Sequence, residues 1–495
     1  MGIDLIYGLL PEHILLALIL ALMVLECLRA DRRLAGPLST FCLAAGCLVL
    51  CRQLAEGYAF RLAEGEIAVD RPALLARLAL LGCGVILGLC FHERFGSFKA
   101  RLLLASSLLG GLLMMSATGF ITLFIGIEML SLPAFALMVQ EGGTSSASEG
   151  AFKYLVLSSV ATACLLFGAS LCYHATGSLA LATLAGSHPL AAPPLLAGAV
   201  LVLAGLLLKA AVFPFHGWAP DAYGSADLPV TAFLASVIKA AVILTVARLF
   251  CAAGSNALFA EVVAVLGVAS VCYGNLAAIR QTSFKRLLAY SSIAHAGYMV
   301  FALADSSGSA LETLLYYASL YAVTTVLACA CFAMLAGSAS DQLTAVEGAF
   351  HARPVPATIL ALALLSLAGI PPLPGFFAKL FVFRAAIASG HLLASLAALF
   401  GSYLGVFYYL RMVFLLFKPV TSGCRAELTV STGWMRGGVL IATAVLVYCL
   451  VCPHCLSVKP GARSAQTGTG HTVAAPAQGY QLAGRVAVAA KIPSP

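Results

Sequence analysis

The chain has 495 residues, 61% of them hydrophobic and only 10% charged, where a soluble domain carries roughly 25% charged residues. That balance excludes a soluble enzyme, and it turns the formal charge of +8 into a matter of membrane topology instead of nucleic-acid binding. No phosphate-binding loop of the GxxxxGK type is present.

Apolar runs fall near 12–29, 37–54, 73–91, 101–118, 120–140, 150–173, 193–213, 228–250, 257–279, 284–304, 310–336, 354–388, 391–417 and 437–455. At about 20 residues per crossing these predict about fourteen transmembrane helices. The first run follows acids (Asp4, Glu12) and ends in Arg29, Arg32 and Arg33. A cleavable signal has the opposite order, so the first run reads as a retained helix with its stop on the cytoplasmic side. Further bases follow the third run (Arg94, Lys99, Arg101), the ninth (Arg280, Lys285, Arg286) and the thirteenth (Lys418, Arg425, Arg436). All four loops then share one side, which the positive-inside rule makes cytoplasmic, and both termini face out. The second loop (Arg61 and Arg71 against Glu56, Glu64, Glu66 and Asp70) and the tail bases Lys459, Arg463, Arg485 and Lys491 oppose this bias.

Runs four to eight and nine to thirteen form two sets of five, and an odd-numbered repeat inserts upside down the second time. The fourth run of each set is interrupted by proline: Pro214 in the first, Pro371, Pro372 and Pro374 in the second. The fold expected is an all-α polytopic bundle with two inverted five-helix repeats, each containing a broken helix. The division follows: three helices in 1–99, the first repeat in 100–250, the second in 251–420, a last helix in 421–456 and a loose tail in 457–495. Glycine pairs Gly84/Gly88 and Gly401/Gly405 suit close helix packing.

Four charges lie inside the apolar runs. Glu128 stands nine residues after Gly119, about 14 Å into a core of about 30 Å. Lys239 stands ten residues after Pro229, about 15 Å deep by the same rise. Lys209 precedes the first break, and Lys379 follows the second. An ionisable side chain at that depth marks a functional site by default. A broken helix frees backbone groups that only protein or water can satisfy. Burial disfavours a charged amine, and a nearby carboxylate restores it. Lysines in a row, each biased by the next, can therefore load and release protons. Arginine could not, because it does not lose its proton.

Simpler readings stand beside these. Glu128 with a lysine could be a passive salt bridge. Lys153, near a helix start, could snorkel to the interface. His295 is either a relay or a packed, hydrogen-bonded residue. His216 and Asp221 read as caps of the broken helix, and Lys285 as a loop base. The Tyr316, Tyr317, Tyr321 and Thr324 face reads as packing more readily than as a hydrated path. Of the sixteen cysteines, Cys449, Cys452 and Cys455 with His454 have knuckle-like spacing but no second ligand pair, and read as helix-end residues instead of a metal site.

Gly126-Ile127-Glu128, the run from Lys209 through Pro214 and His216 to Tyr223, the Lys239 helix, the run from Arg286 through His295 to Tyr298, and Gly369-Ile370-Pro371-Pro372 through Lys379 together resemble the antiporter-like membrane subunits of respiratory complex I. The resemblance covers roughly 100–420. Within that family the chain is most similar to the subunit N branch. It has lysine at the second break, where the subunit M branch usually has Glu, and only about forty residues after the last run, where the subunit L branch has a long lateral helix. The resemblance implies Glu128 and Lys209 as an input ion pair, Lys239 as central relay and Lys379 as output group, with Lys153 as a further family position. It implies no cofactor in this chain, and NAD, FMN, iron–sulfur clusters and quinone in the rest of the assembly. The implied partners are neighbouring antiporter-like and small membrane subunits, the lateral helix of the distal subunit and the lipid of a bacterial inner membrane. A multisubunit cation/proton antiporter is the competing class, and a scaffold with static charges the third.

Overall fold

The computed structural model describes residues 2–62, 66–140, 145–184, 193–250, 256–337, 341–419 and 432–452. His454, Cys455, Arg425, the tail bases and the tail expected at 457–495 lie outside them.

A short helix α1 (Gly2–Gly8) leads into α2 (Leu10–Cys27) and α3 (Ala35–Ala55). A small antiparallel hairpin, β1 (Phe60–Leu62) and β2 (Ile67–Val69), precedes α4 (Arg71–Cys90). The first repeat is α5 (Phe98–Ser116), α6 (Phe120–Gln140), α7 (Ser145–Thr176), α8 (Pro193–Lys209) broken from α9 (Trp218–Ser225), and α10 (Leu228–Phe233) continued by a π-turn, Leu234–Ile238, into α11 (Lys239–Phe250). The second is α12 (Ala257–Ile279), α13 (Phe284–Phe301), α14 (Ala310–Ala336), a one-turn α15 (Ala349–Ala352), α16 (Pro354–Ala368) broken from α17 (Pro374–Ala388), and α18 (Leu392–Phe417). Helix α19 (Gly433–Val451) is last. Among the described residues twelve helices are long and apolar enough to cross a membrane, and α8 and α16 are shorter apolar helices. Twelve plus two broken spans make the fourteen expected.

Local chemistry sets where the spans start. Asp70 accepts from the Ala73 amide, Ser97 from Ala100, Asn256 from Phe259 and Ser283 from Arg286. Each satisfies a donor that the helix itself leaves open. The first two helices of each repeat then pack backbone to backbone, through glycine. A methyl at Gly126 would lie 2.7 Å from the Met114 amide, and one at Gly267 would lie 2.9 Å from the Gly297 carbonyl. The expected pairs instead receive side chains. Gly84 meets Leu108, Gly88 meets Arg101, and Gly401 and Gly405 meet α12 at Cys272 and Asn275.

Contacts sort the loops into the two sides that the helix count requires. At one end Lys285 donates to the Ala226 carbonyl (2.9 Å), Ser283 to Asp341 (2.6 Å), and Lys418 pairs with Glu347 (2.6 Å). At the other the hairpin meets the α5–α6 turn, and Arg248 clasps Asp70 with two bonds of 2.9 and 2.8 Å. Two basic residues differ from the sequence expectation. Arg101 is buried and donates to the carbonyls of Phe95, Gly88 and His92 at the end of α4. Lys285 closes the end of α9. Both satisfy carbonyls in or just past the last turn of a helix, a demand that no loop sequence displays.

Candidate proton path

Both breaks are built alike. After α8, Ala211 takes a left-handed conformation (φ 55°) and the Val212 amide reaches back to the Leu207 carbonyl (3.0 Å). After α16, Gly369 does the same (φ 83°) and the Ile370 amide reaches Leu365 (3.1 Å). This is the Schellman closure of a helix end. The peptide bonds Phe213–Pro214 and Pro371–Pro372 are cis. The freed groups find protein partners. The Trp218 indole donates to the Leu208 carbonyl (2.8 Å), the Phe213 amide to Ser270 Oγ (3.0 Å) and the Gly375 amide to Ser366 Oγ (3.2 Å).

Each break carries a lysine at the carbonyl end of its first half-helix, where the helix dipole favours a cation. Lys209 is the last residue of α8. Lys379 belongs to the second half, α17, yet folds back so that Nζ donates to the Ala368 carbonyl (2.8 Å) and to Ser402 Oγ (3.2 Å). The amine also stands 4.8 Å from the centre of the Tyr298 ring, a cation–π distance.

The sequence-predicted charges come together in two groups. In the first repeat Lys209 Nζ lies 3.7 Å from Glu128 Oε1 and donates to Ser158 Oγ (2.7 Å) and Ser131 Oγ (3.2 Å). Thr162 donates to Glu128 (2.6 Å). Glu128 is the more open partner, its side chain 26% exposed on a face with Ile121, Ile125 and Leu132. From Lys209 a run of aromatic contacts leads inward. Trp218 bonds the neighbouring Leu208 carbonyl, lies against Tyr154 and Tyr223, and Tyr223 donates to the Leu234 carbonyl in the π-turn (3.2 Å).

Lys239 opens α11 directly after that turn. Its ammonium donates to both the carbonyl and the hydroxyl of Ser292 on α13 (2.9 Å each). His295 is one helical turn further along α13. It is bonded at Nδ1 to the Tyr317 hydroxyl (3.0 Å) and at Nε2 to that of Tyr409 (3.3 Å). A cavity of about 10 Å³, lined by His295, Tyr317, Tyr321 and Thr324 on one side and Ser366 and Gly375 on the other, separates His295 from the second break. That is room for about one water molecule. Lys209, Lys239 and Lys379 are only 6%, 2% and 8% exposed. None of the three points into lipid.

Other expected residues land elsewhere. Lys153 is 44% exposed and pairs with Glu149 (2.8 Å) and Asp221 (2.9 Å), joining α7 to α9. Because surface pairs contribute about 0–1 kcal/mol, Lys153→Ala is expected to leave assembly within about twofold of the parent, as gel electrophoresis of intact complexes would show. His216 stacks on Phe213 and meets the Tyr273 ring at a tilt. The face read as packing is buried, and within it Tyr317 bonds His295 and lines the small cavity with Tyr321 and Thr324. Among the described residues no cluster could hold a metal. Cys449 is buried and Cys452 exposed.

The sequence reading missed the hydroxyls. Tyr154, Ser158 and Thr162 recur every four residues on one face of α7, a spacing that was open to notice. Ser292, Ser402 and Tyr409 carry no such signal. The second break yields a direct prediction. A methyl at Gly369 would meet the Lys379 side chain at 2.8 Å, at a left-handed position that side chains rarely adopt. Gly369→Ala is expected to displace the amine and cut proton pumping severalfold while assembly persists. Parallel pumping and complex-yield measurements would check it.

Comparison with known proteins agrees with this fold. The family described as "NADH:quinone oxidoreductase/Mrp antiporter, TM" matches residues 117–405. The "NADH-quinone oxidoreductase subunit N" of Pelobacter propionicus is 50% identical, over 92% of this chain and 98% of its own. A chain of the structure titled "Respiratory complex I from Thermus thermophilus with bound Aureothin" superposes with a TM-score of 0.80 at 32% identity, covering 91% of this chain and 100% of that one. A chain of the Mrp complex from Dietzia shares the fold (TM-score 0.81) at 20% identity, covering 92% and 96%. Buried lysines beside paired helix breaks, and relatives this similar over nearly the full length, lead to one placement: the chain belongs to the NADH:quinone oxidoreductase/Mrp antiporter family, among its subunit N members.

Proposed function

We propose that this chain is a proton-translocating membrane subunit of NADH-quinone oxidoreductase, moving protons through Glu128, Lys209, Lys239, His295 and Lys379 while quinone is reduced elsewhere in the assembly. The observation that carries the reading is a buried amine at each of two similarly built helix breaks, with a third, Lys239, directly after the π-turn. While Glu128 stands beside Lys209, the carboxylate stabilises the ammonium. When the carboxylate moves off, an ammonium held in a dry site loses that stabilisation and passes its proton to a neighbour with a free lone pair. Lys239 and His295 are next in line, and the water-sized cavity leads on to Lys379. Lys153 has a lesser part, fixing α9 to α7 beside the first break. The chain is an enzyme only as part of the assembly. In this reading NAD, FMN, iron–sulfur clusters and quinone belong to other subunits, and the neighbours are antiporter-like and small membrane subunits together with a lateral helix from the distal one. The protein sits in a bacterial inner membrane with both termini outside, because the basic loops that cluster at one end attract the cytoplasmic leaflet. In this reading three helices in 1–99 precede the two repeats, 100–250 and 251–420, and a last helix in 421–456 follows.

The shared fold with the Mrp chain supports the second reading, a subunit of a cation/proton antiporter. Purification from native membranes separates the two. Co-isolation of an NADH-oxidising arm, with proton uptake that needs quinone and no sodium, is the expected result. Sodium-dependent transport without such an arm would replace it.

A further inference from the structure

Beneath α1 lies a second intramembrane charge site that the proton path does not use. Arg77 on α4 is fully buried and bonds Glu12 on α2, itself buried. Gln53 on α3, also fully buried, donates to the Tyr7 carbonyl of α1 (2.6 Å). Four polar atoms of this trio have no hydrogen-bond partner: the acceptors Glu12 Oε2 and Gln53 Oε1, and the donor nitrogens Nε and Nη1 of Arg77. Gly46 faces Leu81, and this antiparallel register sets Gln53 level with Leu74, one helical turn from Arg77. The trio is roofed by α1 and the segment before β1. Tyr58 donates to the Asp4 carbonyl (3.0 Å) and Tyr7 to Glu56 (2.5 Å).

We propose that Glu12, Arg77 and Gln53 form a closed polar chamber that holds bound water, and that the hydrated ion pair latches α2 to α4. The unpartnered set is balanced, with two acceptors against two donors, so water bridging one to the other satisfies both. The alternative is a buried charge pair left half satisfied, which native structures avoid. Arginine does not cycle its proton, so the pair stays charged and acts as a fixed tie. The tie matters beyond the first helices, because α4 also packs on the π-turn that positions Lys239.

Breaking one side of a buried pair leaves a lone charge, whereas replacing both sides by apolar residues is often neutral. In the intact complex, Glu12→Leu alone or Arg77→Met alone is expected to lower assembled complex by about tenfold. The double variant is expected to restore both yield and pumping. A structure of the unaltered complex at water-resolving detail should show density bridging Arg77 to Glu12 Oε2 or Gln53 Oε1. A dry chamber, single variants without effect, or a double variant that assembles but does not pump would each overturn the proposal.

Discussion

Lys209→Ala is expected to abolish proton pumping by the intact complex while the complex still assembles. The amine is the meeting point of Glu128, Ser131 and Ser158. A lost proton-transfer group costs roughly a hundredfold or more in rate, enough to take pumping below detection. Assembly should survive because removing Lys209 leaves Glu128 partly exposed and still bonded to Thr162. Reconstitution into vesicles, with pumping read by a pH-sensitive dye and NADH oxidation followed in parallel, measures both. Pumping at the parental rate would mean that the charges are a static scaffold.

The second large effect concerns Lys239, where two substitutions separate charge from proton exchange. Lys239→Met removes the ammonium from a buried stretch where it bonds only the Ser292 carbonyl and hydroxyl, so no carboxylate is left as a lone buried charge. The variant should therefore assemble, leaving the Ser292 hydroxyl bonded to the Ala289 carbonyl (2.8 Å), and fail to pump. Lys239→Arg keeps the positive charge but cannot release its proton. If the ammonium served only to hold α11 to α13, arginine would rescue function. A relay predicts that arginine fails as methionine does, by about the same hundredfold or more. The same vesicle assay decides between them.

The helix count, the two sets of five and the three deep lysines were legible because each rests on a local cost. A bilayer demands about 20 apolar residues per crossing, proline removes a backbone hydrogen bond and kinks or breaks a helix interior, and a charge at mid-depth is expensive in any fold. The repeats could be paired because Pro214 and Pro371–Pro374 fall in corresponding runs. The first break's left-handed residue was not legible, since it is Ala211 and not a glycine. Arg77 was equally hidden. In sequence it is one base near the start of an apolar run, and only its contact with Glu12 from another helix makes it a buried pair.

The amino-acid order alone determined the class of the molecule, its crossings, its breaks and the three deep lysines, because all of these follow from what one segment costs in a bilayer. Tertiary structure alone decided that Lys209 leans on two serines, that Lys379 turns back onto the carbonyl end of α16, that His295 sits between two tyrosines, and that Lys153 leaves the line for Asp221. Those are contacts between helices distant in the chain. Apart from Asp221, their partners are hydroxyls and carbonyls, which every apolar segment contains and which become distinctive only when packing brings an amine or imidazole to them.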